Sequence, residues 1–102
     1  MNGNRRHAAA RSALARKLEL DGSLVVRTTG PSCVDLVRVD PTGRAWLYEL
    51  KTSVDGKFAH GYRLTDGERG TEAWAAAHGV PYVVARYHVS NAGGVETVRR
   101  VV

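Results

Sequence analysis

The sequence predicts an α/β (α+β) protein, a central mixed β-sheet with helices packed on it, and three observations carry that prediction. An alanine-rich helical stretch precedes three short runs of β-branched and apolar residues. A "DPTG" turn joins the second run to the third. A second helical stretch separates these runs from a further strand, giving the order α-β-β-β-α-β-β. A strand that follows a meander through a helix pairs parallel to one of the meander strands, by a right-handed crossover.

Each element has its own local cause. Residues 5–20 form a helix because Ala10, Leu14 and Leu18 recur at i, i+4 and i+8 as one apolar stripe, flanked by arginines. Asp21-Gly22 ends it. "SLVVRTT" is the first strand, "CVDLVRV" the second and "RAWLYELKT" the third. In the turn between the last two, Pro41 presets φ and Gly43 accepts φ > 0, so these strands form an antiparallel hairpin. A glycine-bearing connection from Lys57 to Arg63 leads to "LTDGERGTEAWAAAHG". Thr65 and Glu68 stand there in capping-box spacing, and Gly79 and Pro81 supply the stop. Trp74, with Ala73, Ala76 and Ala77, is expected to pack this helix on the core. "PYVVARYHV" is the fourth strand, and "GVETVRRVV" a short or edge-placed fifth.

A chain of 102 residues supports one domain with a single two-layer core. Its longest apolar runs fall well short of the roughly 20 residues that span a bilayer, and the N-terminus lacks a continuous apolar signal core. The expectation is a soluble cytoplasmic protein without a membrane partner. One cysteine, Cys33, excludes an internal disulfide, and no Cys/His cluster suggests zinc. The net charge of +5 and a pI near 9.9 point to a polyanionic partner, foremost nucleic acid. Arg5, Arg6, Arg11, Arg16 and Lys17 fall within the first seventeen positions and are read as phosphate contacts, with Lys57 on the later connection beside them.

The chemistry is concentrated in "YELKTS". Strand alternation turns Trp46, Tyr48 and Leu50 to one face and Leu47, Glu49 and Lys51 to the other. Hairpin pairing brings Asp35 of the second strand to the same end of the sheet. Two carboxylates and a lysine then converge. Paired carboxylate oxygens suit Mg²⁺, with Mn²⁺ as a substitute, and such a site supports metal-assisted phosphodiester hydrolysis. An exposed Glu49–Lys51 ion pair is the plain alternative, contributing about 0–1 kcal/mol. A second acid-x-Lys triplet, Asp55-Gly56-Lys57, lies in a glycine-centred loop and reads as a solvated turn. His60 and His78 are weaker acid–base candidates, and Phe58 and Tyr62 are candidates for stacking on an unpaired base.

The initial helix, "LVVRTTGPSCVDLVRV", "WLYELKTS" and "LTDGERGTEAWAAAHGVPYVVARY" together resemble the PD-(D/E)XK nuclease superfamily, most of all the archaeal-type Holliday-junction resolvases and their bacterial and phage relatives. The resemblance covers residues 5–88 and implies a restriction-endonuclease-like αβββαβ core. It implies that Asp35 and Glu49 are metal ligands with the carbonyl of Leu50, that Lys51 positions the attacking water, and that Arg27 and Ser32 contact DNA. It further implies a structure-selective, Mg²⁺-dependent endonuclease acting on branched DNA. Two symmetric cuts at a four-way junction require a homodimer of so small a domain. The chain departs from the family pattern in three places: no acid precedes Glu19 in the first helix, Val34 replaces the proline before Asp35, and there is no glutamine. A catalytically inactive nuclease-fold module that binds DNA or a protein is the alternative reading, and metal-independent binding without cleavage is its mark. In a third reading the chain is a basic interaction domain in which Glu49 and Lys51 merely pair.

Overall fold

A computed structural model describes residues 3–28, 34–54, 57–58 and 63–101. The elements run α1 (Gly3–Glu19), β1 (Leu24–Arg27), β2 (Leu36–Val39), β3 (Ala45–Val54), β4 (Lys57–Phe58), α2 (Asp66–Ala77), β5 (Tyr82–Ala92) and β6 (Val95–Arg100). The strand order is β1-β2-β3-β5-β6, and β4 pairs only with the end of β3. All neighbours are antiparallel except β3 and β5, which run parallel from Leu47↔Tyr82 to Thr52↔Tyr87. The expected mixed sheet, with the strand after α2 parallel to a meander strand, is what forms. No helix among the described residues is long and apolar enough to cross a membrane.

The β2–β3 hairpin is held by Asp40. Its carboxylate accepts hydrogen bonds from the backbone of Thr42 and Arg44 and from the Trp46 indole, while Gly43 sits at φ +88. Polar side chains that bond their own turn are the general reason for Asp in such positions. The β5–β6 hairpin closes through Gly93 and Gly94, both at positive φ (60° and 79°), as a two-residue turn matching the strand twist demands. That turn lets β6 pair along its whole length at the sheet edge.

Two sequence expectations are corrected. Asp35 lies in a bend just before β2, where the Thr28 N–H donates to the Asp35 carbonyl at 3.2 Å and the Thr28 hydroxyl lies within hydrogen-bonding distance of the carbonyls of Val34 (2.7 Å) and Asp35 (2.9 Å). The Asp35 N–H still donates to the Tyr48 carbonyl at 2.9 Å, so the register with β3 is kept. Trp74 is 54 % exposed and stacks on His78 at 4.3 Å between ring centroids, so Ala75 is the residue that α2 buries.

The core lies on one face. Ala10, Leu14 and Ala15 of α1 pack on Leu36, Tyr48, Leu50, Ala85, Tyr87 and Val89. Alternation along β3 leaves Leu47, Glu49 and Lys51 on the opposite face, where α2 lies.

Candidate active site

The register Leu36↔Tyr48 sets Asp35 beside Glu49 at the end of β2. Asp35 is fixed from two directions. Its Oδ2 accepts from the Leu50 N–H at 2.7 Å, and its Oδ1 lies 3.4 Å from Nε2 of His7 on α1. Lys51, two residues beyond Glu49 on the same face, donates to both carboxylate oxygens of Glu68 at 2.7 and 2.8 Å. Glu68 is also N3 of α2: its Oε1 accepts from the Thr65 N–H at 2.8 Å, and its own N–H donates to the Thr65 hydroxyl at 3.2 Å. The capping box read from the sequence is therefore present, and its glutamate has a second partner in β3.

Three carboxyl groups, one ammonium and one imidazole thus meet at one end of the sheet. Their electrostatics follow from crowding. Glu49 is buried, and burial, the hydrogen bond with Glu68 and the nearby Asp35 charge push its carboxyl up to about 9. A carboxyl kept neutral this way keeps its proton and can donate it in a hydrogen bond to a neighbouring carboxylate. For Asp35 burial acts upward, but the hydrogen bonds from His7, the Leu50 N–H and Glu49 prevail and its carboxyl is lowered. Glu68 experiences the same contest: burial is overcome by Glu49, Lys51 and the Thr65 N–H, which bring it to about 2. Tyr82, opposite Leu47 and so on the Glu49 face, has a buried hydroxyl without a hydrogen-bond partner among the described residues. Its phenol is pushed up by burial and by the charges of Glu49 and Glu68.

The structure brings Asp35, Glu49, Leu50 and Lys51 together as the sequence expected. Lys51, however, is held by Glu68, not by Glu49. The proposed phosphate contacts are dispersed. Arg27 extends to Glu19, at 3.5 Å, near the other end of α1. Arg11 donates to the Thr28 carbonyl at 2.9 Å, tying α1 to β1. Arg5 and Arg16 border a groove with Glu96, Arg6 precedes His7 in α1, and Lys57 opens β4. His78, a weaker acid–base candidate, stacks on Trp74 at the end of α2. Ser32, His60 and Tyr62 lie outside the described residues.

His7 and Glu68 went unread in the sequence for different reasons. His7 lies three residues before Ala10 and seven before Leu14, on the buried stripe of α1, so its direction toward the sheet was legible in the spacing. Glu68 was legible only as a cap, since nothing local reveals that a cap also faces β3.

Among the described residues, no group of three His, Cys, Asp or Glu side chains stands arranged around one cation position. What is arranged is a pair of carboxyl groups, Asp35 and Glu49, with the Leu50 carbonyl next after Glu49 in the chain. These are all hard oxygen donors, the kind that suits Mg²⁺ or Mn²⁺. Glu49 retains its proton against the Asp35 charge, and a divalent cation would exchange for that proton. In donor chemistry the residues fit such an ion.

The fold and the cluster together define a mixed-sheet α+β domain with an acidic, lysine-bearing site at the Asp35 end of β2. Among solved structures the chain is similar to one described as a VRR_NUC domain, with 18 % identity and a TM-score of 0.58 over 78 % of this chain and 82 % of that one. That similarity shows the fold. No family model matches the chain, and no curated protein matches it.

Proposed function

We propose that this chain is a metal-dependent DNA endonuclease. The observation that carries the reading is the meeting of Asp35, just before β2, with Glu49 and Lys51 of β3, in a fold similar to that of a VRR_NUC domain. The net charge of +5 suits a polyanionic substrate.

Asp35 and Glu49, with the Leu50 carbonyl, would hold Mg²⁺. When bound, that ion polarises a phosphodiester and lowers the pKa of its water. The chain's own residues do the rest. The Leu50 N–H and His7 fix the Asp35 carboxylate in one orientation. Glu49 gives up its proton when positive charge arrives beside it. The Lys51 ammonium, presented from the same face, orients the attacking water and offsets charge developing on the phosphate. Branched DNA is the substrate form that the sequence resemblance favours, and a homodimer would place two such sites for paired cuts.

The test is cleavage of labelled four-way junction, duplex and single-stranded DNA in Mg²⁺, Mn²⁺ and EDTA. Cutting in either metal and none in EDTA is expected, with Asp35→Ala and Lys51→Ala each reducing the rate at least about 100-fold. Paired symmetric cuts confined to the junction would support the resolvase form. Tight binding with no cutting in either metal would overturn the enzyme reading in favour of a DNA-binding module.

A further inference from the structure

The Lys51–Glu68 contact is more than a surface pair. Both side chains are largely sequestered, at 22 % and 15 % exposure, and the ammonium engages both carboxylate oxygens. An ion pair in that setting is much less weakened by solvent than an exposed one. Across the parallel ladder Lys51 stands opposite Arg86. Like charges at directly opposed positions disfavour each other, so a carboxylate beside Lys51 is favourable there. Glu68 supplies a carboxylate for it, and is itself fixed as N3 of the α2 capping box. The start of α2 is thereby locked to the middle of β3 through one side chain.

We infer that Glu68 is the positioning residue for Lys51: it holds the ammonium beside Glu49 in the geometry that the hydrolytic step uses. This rests on the nuclease reading for its catalytic consequence, but the positioning itself is separately measurable. The two duties of Glu68 can also be separated. Glutamine at N3 completes a capping box as glutamate does. Glu68→Gln therefore preserves the helix start while removing the charge that holds Lys51. Thr65→Ala does the reverse, since it deletes the capping hydroxyl and leaves the carboxylate in place.

The experiment compares wild type, Glu68→Gln, Thr65→Ala, Lys51→Ala and the Lys51→Ala/Glu68→Gln double variant for cleavage kinetics and melting temperature. It also measures the rate at which an amine-acylating reagent labels Lys51, with exposed Lys17 as internal reference. Positioning predicts that Glu68→Gln, assayed well below its melting temperature, lowers kcat about 10- to 100-fold with KM nearly unchanged. The double variant should be no slower than Lys51→Ala alone, and Lys51 should label faster, toward the rate of Lys17. Thr65→Ala should lower the melting temperature by roughly 4–8 °C and change kcat less than about twofold. Wild-type or faster cleavage by Glu68→Gln overturns the proposal, the faster case making Glu68 a restraint on Lys51. If wild type cuts nothing, the nuclease reading fails and labelling alone decides: faster labelling in Glu68→Gln upholds the positioning, and an unchanged rate overturns it.

Discussion

The two faces of the sheet are built on opposite principles. On the α1 face, Ala10, Leu14 and Ala15 have no exposed surface and close directly on Leu36, Tyr48 and Leu50. On the α2 face, Ala75 is the buried residue of the helix, Trp74 stands out in solvent, and a groove bordered by Val37, Leu47, Gly67 and Gly70 separates helix from sheet. What joins α2 to β3 instead is polar: Glu68 to Lys51, with Glu49 between the carboxylates. The first face derives its stability from burial at roughly 25 cal/mol per Å². The second holds three crowded carboxyl groups, of which Glu49 is kept neutral by burial and by its acidic neighbours.

Truncating the packed face should have the largest effect. Leu14→Ala leaves a cavity under the centre of α1 and is expected to cost about 2–5 kcal/mol in urea unfolding, enough to unfold a marginal domain of this size. A loss below about 1 kcal/mol would show that the α1 face is not the stabilising one.

The polar face should reveal itself through pH. Glu49 in the folded chain holds its proton up to about 9, against an ordinary value of 4.5. The folded state therefore binds more protons than the unfolded state between these values. Its contribution is complete below about pH 4.5 and declines as pH rises through about 9, so metal-free protein should lose stability from pH 5 to pH 9. Glu68, lowered to about 2, acts in the opposite sense but outside this window: its contribution is present above 4.5 and lost as pH falls through about 2. Urea midpoints at pH 5, 7 and 9 in EDTA measure the slope, and Glu49→Gln should flatten it. An equal slope in the variant would assign the pH dependence elsewhere.

His7 offers a smaller test at the boundary of the two faces. It belongs to the packed helix yet orients Asp35. Loss of such an outer partner typically weakens metal binding 10- to 100-fold. On the proposed metal site, His7→Ala should accordingly weaken Mg²⁺ binding by about tenfold in calorimetry, with a melting temperature close to wild type. The smallest effect belongs to Trp74→Ala: an exposed ring stacked on His78 should change stability by less than about 1 kcal/mol. A larger loss would mean that the α2 face is packed after all.

Much of this organisation was readable residue by residue. The stripe Ala10, Leu14, Leu18 placed α1, "DPTG" placed the hairpin, and Thr65 with Glu68 placed the start of α2. Alternation along "YELKTS" put Glu49 and Lys51 on one face, away from Tyr48 and Leu50, and that is how β3 lies. These features depend on periodicity and on bonds between residues a few positions apart, which a sequence states directly. Trp74 misled because size and apolarity predict burial only when the opposing surface comes close enough to receive the ring.

What the tertiary structure alone decided is which charged group answers which. The sequence offers Glu49, two residues away, as the plain ion-pair partner of Lys51, and no acid before Glu19 in α1 to complete the site. The folded chain pairs Lys51 with Glu68, seventeen positions on, and brings His7 to Asp35. Ionic and hydrogen-bonded partners depend on the final few ångströms between elements. Those distances are set by the crossover from β3 through α2 to β5 and by the seating of α1 on its core, and neither is encoded in any local pattern.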